Sequence, residues 1–158
     1  MTPDKLAKSG SEHGHQTALF AFVAMARLRG WAWAWAWAND EPCDFTSPPV
    51  LALEWFHAIH NQGHGDAIRG ARAKAEGVRK GVADTFLPWP SANCAGLYIE
   101  MKKPSEKPKS QTAKGGLSED QSKFAEYAKS VGYAWVVCYS WREAAQTLQN
   151  YIEWGNNE

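Results

Sequence analysis

The sequence predicts an α/β protein, a mixed β-sheet core flanked by helices. Three observations carry this reading. Apolar residues recur at helical spacing near both ends, as Ala18, Leu19, Phe22, Val23 and Ala26 and again over residues 141–154. Between them lie short apolar runs at 82–87, 96–102 and 133–139, which read as strands. Helical and strand-like segments alternate, the pattern of helices packed on a sheet. With 158 residues the chain has room for one domain that buries about two-thirds of its unfolded surface.

The elements follow in order. The first ten residues are expected to be a loose tail, with the domain proper over 11–158. Ser11 is a helix cap, Glu12 sits where the helix dipole favours a carboxylate, and Gly30 ends the segment. Glu12 and Gln16 share one face, a turn apart. Residues 31–38 are Trp-Ala repeated four times. Strict alternation is a strand pattern, whereas alanine favours helix. Four indoles on one side could bury a dimer seam or stack on bases. The compositional reading is an expanded repeat in a variable loop, an insertion over 31–49, with Pro42, Pro48 and Pro49 keeping its second half irregular.

Residues 51–60 read as a strand, followed by a tight turn at Asn61-Gln62-Gly63-His64-Gly65. Residues 66–76 are rich in alanine and arginine and read as a helix stopped by Gly77. The strand at 82–87 is closed by Pro88 and Pro90. The strand at 96–102 follows, then a lysine-rich loop over 104–116. Ser118 opens a helix reaching about Val131, with Gln121 at the glutamine position of a capping box. A buried strand and an amphipathic helix complete the chain.

The 17 basic and 17 acidic residues cancel, so net charge gives no argument for a polyanionic partner. Local charge does. Arg69, Arg72, Lys74, Arg79 and Lys80 are opposed within their stretch by Glu76 alone, and five lysines over 102–114 by Glu106 alone. Two basic stretches flanking an acidic site suit nucleic acid better than a merely solvated face. The three cysteines, Cys43, Cys94 and Cys138, are widely spaced, which argues against a disulfide framework. No secretory signal and no membrane-length apolar run is visible. A soluble, cytoplasmic protein is expected.

The chemistry concentrates at Asp84 and at Glu100-Met101-Lys102. Two carboxylates at the ends of neighbouring strands can hold one or two hard cations, and Mg²⁺ prefers oxygen ligands. Lys102, two residues beyond Glu100, points to the same strand face. There it can orient the attacking water or offset charge developing on a phosphate. Each residue also has a plainer reading: Asp84 as a turn cap, Lys102 as a solvated strand lysine, Gln121 as a capping-box residue and Glu12 as a dipole-favoured carboxylate. Zinc is the rival chemistry, through His57, His60, His64, His13 and His15. Against it, His57 and His60 fall on opposite faces of a strand, and no cysteine pair has structural-zinc spacing.

An Asp at one strand end and Glu-x-Lys on the next resembles the active site of metal-dependent nucleases of the PD-(D/E)xK type, which have a restriction-endonuclease-like fold. More of the chain resembles the VRR-NUC domain family. The matching stretches are Gly77-Val78-Arg79-Lys80-Gly81-Val82-Ala83-Asp84, then Gly96 to Lys102, then Leu117-Ser118-Glu119-Asp120-Gln121. Gly132-Tyr133 and Ala144-Ala145 fit its tail. Glu12-His13-Gly14-His15-Gln16 and Ala58 to Gly63 resemble its first-helix and turn motifs. The resemblance covers residues 11–154. Ala83 stands where the family has proline. His60-Asn61-Gln62-Gly63 replaces a Pro-Asn-Gly-Gly turn, which alters how that loop would contact DNA. The Trp-Ala repeat has no counterpart.

The resemblance implies an Mg²⁺- or Mn²⁺-dependent endonuclease. Asp84, Glu100 and the Met101 carbonyl are the expected metal ligands, with Glu12 completing the acidic cluster. Lys102 and Gln121 are the expected further catalytic residues. Asn61, His64, Arg69, Arg79, Lys80 and Lys103 are expected to contact DNA. Stand-alone members, often from phages and bacteria, resemble homodimeric Holliday-junction resolvases, so branched DNA is the implied substrate. Another nuclease specificity, such as flap, nicking or restriction-like cleavage, stays open. So does a non-catalytic DNA-binding module, although the joint presence of Asp84, Glu100, Lys102 and Gln121 argues against decay.

Overall fold

The computed structural model describes residues 1–60, 67–110 and 115–156. Its frame is a four-stranded sheet in the order β1-β2-β3-β4, formed by His57–Ala58, Thr85–Leu87, Leu97–Met101 and Ala134–Cys138. The first two pairings are antiparallel and the third is parallel. A parallel neighbour needs a crossover, which helix α5, Glu119–Ser130, supplies between β3 and β4. The mixed sheet with flanking helices is the predicted α/β class.

One sheet face carries Leu87, Leu97, Ile99 and Met101, all at most 1% exposed. Alternation places these side chains together, and they meet α2, Glu12–Arg29, and α6, Trp141–Asn156. The buried stripe of α2 is the one its periodicity predicts, Ala18, Leu19, Phe22, Val23 and Ala26. Ser11 caps it by accepting from the Gly14 N–H at 3.0 Å. Gly30, at φ +92, separates α2 from the next helix, and a Cβ there would lie 2.4 Å from the Pro48 carbonyl oxygen. Only glycine suits that position.

Three expectations are corrected. The first ten residues are not a loose tail: Pro3–Leu6 form helix α1, with Pro3 and Ala7 buried. Asp4 fastens it, its Oδ1 accepting from Trp141 Nε1 at 3.0 Å and its Oδ2 from an Arg142 guanidinium N–H at 2.8 Å. The Trp-Ala repeat is helix α3, Trp31–Ala38, not a loop. Alanine's helix preference sets the local geometry, and tertiary packing holds it. Trp35 lies 4.5 Å from Phe22 and 5.9 Å from Trp141 between ring centres, and its Nε1 donates to Gln149 Oε1 at 2.7 Å. Trp33 and Trp37, four residues apart, stack on each other instead, so the indoles divide between helix faces.

The third correction concerns 51–60. It is a 3₁₀ turn at Leu51–Leu53 and then the two-residue strand β1. Val50 and Leu53 turn inward, the Val50 N–H donates to the Ala26 carbonyl, and Phe56 stacks on Phe20 at 4.9 Å. Packing on α2 thus overrides the alternation. The turn containing Asn61 and His64 lies outside the described residues. Helix α4, Ala67–Ala75, appears where predicted. Among the described residues no helix is long and apolar enough to cross a membrane.

Candidate active site

Asp84 immediately precedes β2. The register pairs Thr85 with Ile99, so one further step places Asp84 opposite Glu100. Two contacts fix it there. Its Oδ2 accepts from the Met101 N–H at 2.7 Å, and its carbonyl accepts from the Ile59 N–H at 2.7 Å. Ala83, fully buried, holds the approach without the proline.

Glu100 is 2% exposed. Its Oε1 accepts from Gln121 Nε2 at 2.8 Å and lies 3.9 Å from Lys102 Nζ. Its Oε2 is buried with no hydrogen-bond donor. Burial first, and the facing Asp84 carboxylate second, push the Glu100 carboxyl up to about 9. Lys102 works in the opposite direction but too weakly to restore an ordinary value.

Lys102 is itself buried, with its ammonium 3.8 Å from Glu12 Oε1. It therefore bridges the sheet and the first turn of α2. Glu12 is pushed upward by burial, against the pull of Lys102. A cleft of about 500 Å³ opens here, lined by Glu12, His13, Gln16, Asp84 and Met101 among others. Lys103, exposed just beyond β3, edges an adjoining hollow with Ser11, Glu12 and His13.

Gln121 comes from the first turn of α5. Its capping box with Ser118 is complete, so the plain reading and the site reading hold together. The N-termini of α2 and α5 both approach the carboxylates, and their dipoles favour negative charge. The structure thus brings Asp84, Glu100, Lys102, Gln121 and Glu12 into one neighbourhood. The Met101 backbone lies between Asp84 and Lys102.

The expected DNA contacts are placed less uniformly. Arg69 lies on the exposed side of α4, and Arg79 is exposed in the stretch leading to Asp84. Lys80 pairs with Asp120 at 3.5 Å. Asn61 and His64 lie outside the described residues. Sequence reading missed Gly81, at φ +94, where a Cβ would lie 2.6 Å from the Asp120 carbonyl oxygen. This glycine lets the Asp84 approach lie against the start of α5. Its signal was a glycine three residues before the aspartate.

Asp84, Glu100 and the Met101 carbonyl offer hard oxygen donors. Among the described residues no three His, Cys, Asp or Glu side chains form a metal-holding group. Mg²⁺ does not require one, since it is commonly bound by one or two carboxylates together with substrate phosphates. The donorless, buried Glu100 Oε2 beside a second carboxylate fits a divalent cation, which would offset both charges.

The chain matches no family model and no curated protein. Its fold is similar to a solved structure described as a VRR_NUC domain protein, with 18% identity, 89% of each chain covered and a TM-score of 0.56. The likeness establishes the fold, a restriction-endonuclease-like α/β arrangement.

Proposed function

We propose that this chain is a divalent-metal-dependent DNA endonuclease of the VRR-NUC type. The observation that carries the reading is the pairing of Asp84 with Glu100 across β2 and β3, with Lys102 on the face of Glu100. A VRR_NUC-like fold with these residue types at these positions favours phosphodiester hydrolysis over a decayed binding module.

Asp84, Glu100 and the Met101 carbonyl would hold Mg²⁺ or Mn²⁺, with Glu12 at the edge of the set. A cation bound there supplies Lewis acidity toward a phosphodiester. Lys102 offsets charge that develops on the phosphate or orients the attacking water. Glu12 and Glu100 keep its ammonium at the cleft. Arg69, Arg79, Lys80 and Lys103, with Asn61 and His64, would contact the DNA backbone.

The reading extends to a four-way junction cut by a homodimer, because two symmetric strands require two matching sites. It assigns residues 11–158, with α1 packed against them, to the nuclease domain, and 31–49 as an addition to the family plan. A bacterial cytoplasm is the matching setting. The test is incubation of purified protein with four-way, flap, nicked and linear DNA in Mg²⁺, Mn²⁺, Ca²⁺ or EDTA. Paired cuts on the four-way substrate, in Mg²⁺ or Mn²⁺ only, are expected. Preferred flap cutting by a monomer would overturn the resolvase assignment, and absence of cutting on every substrate would overturn the nuclease assignment.

A further inference from the structure

Gln121 makes two side-chain contacts in opposite directions. Its Oε1 accepts from the Ser118 N–H at 2.9 Å, and its Nε2 donates to Glu100 Oε1 at 2.8 Å. The first contact fixes the second. A backbone N–H only donates, so the oxygen end of the amide must face Ser118 and the nitrogen end must face Glu100. The Ser118 hydroxyl closes the box by accepting from the Gln121 N–H at 3.2 Å.

The consequence falls on Glu100. One of its oxygens carries the Gln121 donor, while the other is buried and has none. Each carboxylate oxygen can accept twice, so Oε1 has given up part of its capacity while Oε2 keeps all of it for a cation.

We infer that the capping box of α5 orients Glu100 toward its cation: Gln121 holds Oε1 and leaves Oε2 as the oxygen presented to a divalent cation. This rests on the metal-site reading above. Gln121 is then a positioning residue, acting through Glu100, and Ser118 orients it through its backbone. Outer-shell partners of this kind typically contribute tenfold to a hundredfold in metal affinity.

The test is Mn²⁺ binding by titration calorimetry on DNA-free protein, with thermal melting of the same samples. Gln121→Met keeps the length of the side chain but loses both contacts, and should weaken Mn²⁺ binding by about tenfold or more. Ser118→Ala removes the hydroxyl cap yet keeps the backbone N–H that orients Gln121. It should lower the melting temperature and leave Mn²⁺ affinity within about twofold, since the Gln121–Glu100 contact survives. If Gln121→Met does not fold, Gln121→Asn puts the same question, because its shorter arm cannot span both partners. Undiminished affinity in the folded Gln121 variant would overturn the inference, as would equal losses in the Gln121 and Ser118 variants. If wild-type protein binds no Mn²⁺, the metal-site reading itself falls, and this inference with it.

Discussion

The Asp84 carboxylate accepts a hydrogen bond from the Met101 backbone N–H at 2.7 Å, so β3 itself aims the first carboxylate at the second. The contact uses one Asp84 oxygen and does not depend on full charge. Asp84→Asn should therefore fold normally while losing Mn²⁺ binding and cleavage. Calorimetry and a DNA-cleavage assay check this, and a cutting Asp84→Asn variant would remove Asp84 from the metal set.

Glu100→Gln should separate activity from stability. The folded carboxyl sits at about 9 against an ordinary 4.5, so it holds its proton more tightly folded than unfolded. The metal-free fold therefore loses stability as pH rises above the ordinary value toward about 9. Glu100→Gln removes that penalty, with a gain of at most about 5 kcal/mol near pH 8 and little near pH 4. It should also abolish cleavage. Melting curves at the two pH values decide the point; a variant less stable at both would contradict the buried-charge account.

Lys102 and Lys103 are adjacent in sequence, but only Lys102 is buried and paired with Glu12 and Glu100. Lys102→Ala should slow cleavage by on the order of a hundredfold or more. Lys103→Ala should matter far less in single-turnover assays. Equal effects would point to general phosphate affinity instead.

Trp35 should be the critical member of the repeat. It packs on Phe22 and Trp141 and donates to Gln149. Trp35→Ala should cost about 3–5 kcal/mol. Trp37→Ala, which loses its stack on Trp33, should cost nearer 1 kcal/mol. Urea unfolding of both variants checks the ranking. A Gly-Ser linker in place of residues 31–38 should destabilise the protein severely.

His15 predicts an acid-side loss of stability. Its Nδ1 accepts from the Trp141 N–H at 3.0 Å, and burial lowers its pKa from the ordinary 6.5, against the opposing charge of Asp4. The unfolded chain then binds the proton more readily, so stability is full above pH 6.5 and falls as pH drops below it. His15→Gln, which keeps an acceptor for that N–H, should flatten melting temperature between pH 5 and 7. An unchanged slope would assign the loss to other groups that titrate in that range.

The sequence by itself determined the parts governed by local periodicity and chemistry. The buried stripe of α2 follows from the spacing of Ala18 to Ala26. The shared strand face of Glu100 and Lys102 follows from period-two geometry, and Gln121 from the capping-box spacing after Ser118. Only the tertiary structure decided the rest, because those features depend on contacts between residues distant in the chain. The Trp-Ala repeat satisfies a strand pattern and a helix propensity at once, and Phe22, Trp141 and Gln149 resolve it as a helix. The alternation of 51–60 gives way to packing on α2. The first residues look polar and loose until Asp4 meets Trp141 and Arg142. At the site, residue types were legible, but the bridge from Lys102 to Glu12 and the inequality of the two Glu100 oxygens were not. Both arise where two helix N-termini converge on a strand end, a relation that no local stretch of sequence encodes.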